Sequence, residues 1–122
     1  MKIDDIDKYE KIIKECDKAL EEDPKDVFAL EGKGSALSKL DRPQEAIKFL
    51  DKGLEIDSRG VEMWVEKGTV LKNLSKYQEA MQCYDRALEI IKEDYGDGVG
   101  HEVAHWGRWQ INKLLKKQST EK

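Results

Sequence analysis

The chain repeats itself every 34 residues, and a fixed period of that length sharply limits what it can fold into. Placing residues 27–60 over residues 61–94 brings Lys33-Gly34 onto Lys67-Gly68, Leu37 onto Leu71 and Glu45-Ala46 onto Glu79-Ala80. It also brings Leu54-Glu55-Ile56 onto Leu88-Glu89-Ile90. One further step back sets Asp7, Tyr9 and Glu10 over Asp41, Pro43 and Gln44. Each unit of such an array is one supersecondary element that cannot bury its apolar face alone, so neighbours must stack. Arrays of this kind usually work by presenting a surface rather than by chemistry.

Each period reads as two helices. Leu30, Gly34, Leu37 and Leu40 form an apolar-or-small stripe at helical spacing, and Ala46, Ile47, Leu50 and Leu54 form the next. The following period repeats them with Trp64, Gly68, Leu71 and Leu74, then Ala80, Met81, Tyr84 and Leu88. Asp7, Asp41 and Ser75 stand one period apart as N-cap residues, each followed three positions later by Glu10, Gln44 or Gln78 to complete a capping box. The second helices are therefore expected to start near Lys8, Arg42 and Lys76. Pro43 sits near a first helical position, where its missing N–H costs nothing.

The ends are irregular. Residues 92–100 read as a loop by their glycines. A further helical pattern, Val103, Trp106, Gly107, Ile111 and Leu114, follows as the first helix of a fourth unit displaced by five residues. The aromatic stripe of Trp64, Tyr84 and Trp106, with Met81, is expected to be core, and so is the Val103–Gly107–Leu114 line. At the other end too few residues precede Asp7 for a full first helix, which would leave Ile6, Ile12 and Ile13 uncovered. The expected organisation is one domain over residues 1–117, with units at about 1–26 (partial), 27–60, 61–94 and 100–117 (a partial capping helix). Residues 118–122 are expected to be a frayed tail.

At 122 residues the chain can bury a continuous core. Charged residues make up 39% of it, with acid and base interspersed, which marks solvated helix faces. The net charge of −4 gives no general pull toward nucleic acid. No apolar run approaches a membrane span and no signal-peptide pattern opens the chain. Cys16 and Cys83 both fall on apolar helical stripes, as core thiols of a reducing compartment would, so a cytoplasmic setting is expected.

The residues at fixed places in each period are similar to those of the tetratricopeptide repeat (TPR) family, whose pattern runs Trp, Leu-Gly, Tyr, Ala, aromatic, Ala, Pro. Residues 61–94 supply Trp64, Gly68, Ala80, Tyr84 and Ala87; residues 27–60 supply Gly34, Ala46 and Leu54, with Leu30 for the Trp and Gly53 for the later Ala. Pro24 is the only closing proline, with Ser58 and Lys92 at the equivalent places. The resemblance implies an all-α, TPR-like α-solenoid of antiparallel helical hairpins, with about three units and incomplete ends. It also implies a non-catalytic scaffold or adaptor, without cofactor, that binds a peptide or helix of a partner protein in a concave groove lined by first helices.

Carried over position by position, that groove is lined by Phe28, Glu31, Ser35 and Ser38, by Glu62, Val65, Glu66, Thr69 and Lys72, and by His101, His105, Arg108 and Asn112. The family's carboxylate clamp of Lys, Asn and Arg is replaced here by Glu31, Glu62 and Glu66, which would repel a C-terminal carboxylate. A ligand segment of mixed charge is expected instead. His101-Glu102-Val103-Ala104-His105 also spells the zincin H-E-x-x-H, where two imidazoles bind zinc and the Glu serves as general base. The motif lacks a third ligand, since Arg108 and Ile111 stand where the metzincin extension has Gly and His, and no strand is present to hold substrate. The expectation is therefore no metal site and two surface histidines at the end of the groove. Metal binding or peptidase chemistry through residues 101–105 is the alternative. Self-association through exposed solenoid ends is another.

Overall fold

A computed structural model describes the backbone of residues 2–98 and 100–120, with side chains through Lys117. Regular structure among the described residues is helical throughout: α1 (Ile3–Glu22), α2 (Val27–Lys39), α3 (Pro43–Ile56), α4 (Val61–Asn73), α5 (Tyr77–Tyr95) and α6 (Glu102–Thr120). No helix among these residues is long and apolar enough to cross a membrane. The chain forms two compact units, Met1–Met63 and Trp64–Lys122, the second beginning within α4.

The repeat is written into the turns. Asp23 and Asp57, one period apart, each accept the backbone N–H two residues ahead on their Oδ1, from Lys25 at 3.0 Å and Arg59 at 3.1 Å. These Asx turns end α1 and α3. Ile91 occupies the third such place and cannot make the turn, so α5 runs on through Tyr95 until Gly96, at φ 86°, stops it. The five-residue insertion is thus mainly extra helix, and the expected loop shrinks to the residues after Tyr95.

Asp41 and Ser75 cap the other way round from the expectation. Both adopt left-handed backbone, at φ 58° and 61°. The Asp41 and Arg42 N–H groups donate to Ser38 and Leu37 carbonyls at 3.1 and 3.0 Å; Ser75 and Lys76 donate to Lys72 and Leu71 at 2.9 Å each. This is a Schellman closure of α2 and of α4. Arg42 and Lys76 are the N-cap residues of α3 and α5, with no side-chain cap bond. Arg42 instead grips Glu45 through Nε and Nη2 at 2.9 and 2.6 Å. The third proposed cap, Asp7, lies inside α1, which runs unbroken from Ile3.

In the first unit, Gly34 of α2 receives Leu50 of α3 so closely that a Cβ would lie 2.8 Å from its Cγ. Gly53 is filled by the Met63 thioether, 2.5 Å from where a Cβ would stand, which explains a glycine where the family pattern has alanine. In the second unit the equivalent of Leu50 is Tyr84, fully buried against Gly68 of α4 and Gly107 of α6. Cys83 is buried and Cys16 half-buried, and no disulfide joins them.

Core expectations fail at five residues, of which Met81 stays half-buried. Trp64 is only half-buried. Trp106 is 56% exposed, and Val103 and Leu114 are open to solvent as well. The α6 residues that do pack inward are Ala104, Gly107 and Ile111, one step around the helix, and Gly107 is the point where α6 meets Tyr84 of α5. The α6 helix continues through Thr120, where a frayed tail was expected from Gln118; Glu121 and Lys122 lie outside the described residues.

Candidate functional site

The first unit carries an aromatic and acidic surface. Asp26 caps α2 by accepting from the Ala29 N–H at 3.1 Å, and this fixes the first turn from which Phe28 projects. Phe28 is 86% exposed. Glu31, Ser35 and Ser38 follow along α2, all half-buried, while Glu62 is exposed in the first turn of α4. Burial, then the neighbouring Glu62 carboxylate, pushes the Glu31 carboxyl above its ordinary value.

The second unit treats its share of the sequence-derived residues differently. Val65 is buried rather than lining a surface, as is Ala104 at the equivalent place in α6, because both are apolar residues on inward faces. The Thr69 hydroxyl donates to the Val65 carbonyl at 3.0 Å and lies 2.9 Å from the Tyr84 hydroxyl. Having one proton, it must accept from the phenol. Lys72 donates to the Gln110 side chain at 2.6 Å, and Arg108 pairs with Asp85 at 2.8 Å. The charge of Arg108, one of the expected groove residues, is therefore neutralised within the fold. Glu66 is half-buried, and Asn112 and His105 are exposed.

The H-E-x-x-H residues are spent on starting α6. His101 precedes the helix, and its Nδ1 accepts weakly from the Ala104 N–H at 3.4 Å. His105 folds back over the preceding loop, so close to Gly100 that a Cβ there would meet Nε2 at 2.8 Å. A zincin pair needs both imidazoles projecting from one helical face; here one belongs to the cap. Among the described residues no group of three or more His, Cys, Asp or Glu side chains is placed to hold a metal ion.

The sequence reading missed the most apolar exposed surface of the second unit. Trp106 and Trp109 stack with ring centroids 4.8 Å apart and 17° between planes, and the Lys113 ammonium lies 4.9 Å from the Trp109 centroid. With Val103, Gly100, His101 and His105 they line an open recess of about 980 Å³. The available signal was the i, i+3 spacing of the two tryptophans on α6.

Helical hairpins repeated at a fixed period, with their variation on exposed helix faces, define a repeat protein that presents surface. The chain belongs to the tetratricopeptide repeat family, whose models match residues 29–59 and 61–94. A search of curated proteins finds no match to the chain. Among solved structures it is similar to the Sgt2 TPR domain from Aspergillus fumigatus, with 18% identity and a TM-score of 0.81, over 93% of this chain and 72% of that one. It is also similar to the TPR2B domain of yeast Sti1 in its pHsp70 complex, with 20% identity and a TM-score of 0.80, over 88% and 86%. The first TPR of Spaghetti (RPAP3), bound to the HSP90 peptide SRMEEVD, matches at 20% identity with a TM-score of 0.78, over 89% and 81%. The fold is accordingly an all-α TPR solenoid.

Proposed function

We propose that the chain is a non-catalytic interaction module, an adaptor or scaffold, that binds a basic and apolar segment of a partner protein through Phe28, Glu31 and Glu62. The observation that carries this reading is Phe28. A phenylalanine 86% exposed, one helical turn before Glu31, forgoes about 1.5–3 kcal/mol of burial until something covers it. The raised Glu31 carboxyl supports the same partner, because a cationic side chain beside it would favour the charged form that Glu62 disfavours. Related TPR domains hold an Hsp70 peptide and the acidic HSP90 peptide SRMEEVD. With Glu31 and Glu62 at clamp positions, this chain would repel such a ligand. Membrane and nucleic acid have no part in this reading, and a cytoplasmic setting suits two cysteines not joined in a disulfide.

Fluorescence anisotropy with two labelled peptides tests it, one alternating Lys and Leu, the other SRMEEVD. The Lys/Leu peptide should bind, more weakly as salt rises, and lose affinity to Phe28→Ala and to Glu31→Lys with Glu62→Lys. Equal binding of both peptides, or binding untouched by these variants, would remove the proposal.

A further inference from the structure

The two end helices are complementary halves of one hairpin. By register α1 is a second helix, and its residues align with α3 and α5. Ile12 corresponds to Ala46 and Ala80, Cys16 to Leu50 and Tyr84, and Ala19 to Gly53 and Ala87. The named residues of α3 and α5 are buried, Ala46, Leu50, Ala80, Tyr84 and Ala87 completely. Ile12, Cys16 and Ala19 are only half-buried. In α3 that burial comes partly from the first helix of the same hairpin: the Ala46 carbonyl and Leu50 close over Gly34, and Gly53 abuts Leu30. The matching positions of α1 are thus less covered than those of α3 among the described residues.

By the same register α6 is a first helix. Val103 corresponds to Leu30, 3% exposed, and is 49% exposed; Trp109 corresponds to Ala36, 2% exposed, and is 51% exposed. The surface of α6 that would face a second helix is thus uncovered and carries the tryptophan stack. The charges are complementary too. The α1 segment has eight acidic side chains against four basic ones. The α6 segment has Lys113, Lys116 and Lys117, besides the Asp85-paired Arg108, against Glu102 alone.

We propose that the chain assembles head to tail with further copies of itself, α6 of one copy and α1 of the next completing a hairpin unit. The contact is heterologous, so it leaves a free end on each side and propagates. The repeat supplies its geometry. A Cβ on Gly53 would stand 3.7 Å from the Leu30 Cβ. Ala19 of one copy and Val103 of the next, the corresponding residues, should therefore meet at a Cβ separation of about 3.5–4.5 Å, which suits a disulfide.

Two measurements test this. Light scattering on the whole chain should give a mass above 14.1 kDa that rises with concentration and falls with salt. Trp106→Glu with Trp109→Glu should be monomeric, and so should Ile12→Glu. The two blocked forms mixed should stop at a dimer, since one intact α6 and one intact α1 remain. In a Cys16→Ala background, Ala19→Cys and Val103→Cys proteins should cross-link only when mixed and oxidised, while a chain carrying both should give a ladder. If Ile12→Glu loses helical circular dichroism, Asp4→Lys with Asp5→Lys, both exposed, replaces it and should lower the mass at a given concentration. A parent monomeric at all concentrations would overturn the proposal and leave the tryptophan face to another partner. Cross-linking of Val103→Cys with itself would overturn it in favour of a symmetric dimer.

Discussion

Tyr84 and Gly107 touch so closely that a Cβ on the glycine would lie 2.5 Å from the tyrosine ring at Cε2 and Cζ. On the other edge of the same ring, a Cβ on Gly68 would lie 2.8 Å from Cε1. The ring is fully buried and has no room to retreat. Helix propensity alone favours alanine over glycine by about 1 kcal/mol. Overpacking outweighs it here, so Gly107→Ala and Gly68→Ala should each destabilise by about 1–3 kcal/mol. Gly98→Ala, with open space around it, serves as the neutral comparison. Urea unfolding of the three variants decides it; stability unchanged at Gly107 would mean the ring does not lie where described.

The hydroxyl of Tyr84 gives an asymmetric pair of expectations. The phenol donates to Thr69, whose own proton is committed to the Val65 carbonyl. Tyr84→Phe removes one neutral hydrogen bond and leaves Thr69 its backbone partner, at a cost of about 0.5–1.5 kcal/mol. Thr69→Val strands a buried donor and should cost more, about 1–3 kcal/mol. Equal or reversed costs in denaturant unfolding would contradict the assigned donor.

Asp41 and Ser75 hold left-handed backbone at no evident functional gain. The αL conformation costs an L-residue about 1–2 kcal/mol, and glycine returns about 0.5–1 kcal/mol of that as unfolded-state entropy. Ser75→Gly should therefore stabilise by about 0.5–1 kcal/mol, and Asp41→Gly by less, since aspartate tolerates αL better. Thermal melting checks both, and a drop in Tm at Ser75 would contradict the Schellman assignment.

Those two residues also show where sequence reading reaches its limit. Asp and Ser next to a helix start look like N-caps, but the last helix closes and the next begins within three residues. Only the backbone dihedrals tell which of the two they serve. The glycines were more legible. Gly34, Gly68 and Gly107 recur in register because each must admit a neighbouring helix's side chain, and that demand leaves no substitute. Burial of the tryptophans was not legible, because periodicity marks which residues share a face and says nothing about whether another helix covers it. Trp106 falls on an apolar face, as read, but that face is open. The histidine motif is legible only as a spacing: it assumes both residues are helical, and His101 lies one position outside.

The last expectation concerns the acidic surface and its pH dependence. Burial first, and Glu62 second, raise the folded-state pKa of Glu31 above its unfolded value. The folded chain therefore binds that proton more tightly than the unfolded chain. Glu31's contribution to stability is whole below the ordinary carboxylate range, and it is lost as pH rises through the folded value. At neutral pH the charged Glu31 is thus a net burden on the fold. Glu31→Gln keeps the shape, removes the charge, and should melt higher than the parent at pH 7. Below pH of about 4, where the parent is itself protonated, the two melting temperatures should converge. Glu62→Gln should show the same trend with smaller amplitude, since it relieves the lesser of the two causes. Identical melting of Glu31→Gln and parent across this range would show that the carboxyl is better solvated than its half-buried position implies. It would also take away the support that this pair lends to a cationic ligand.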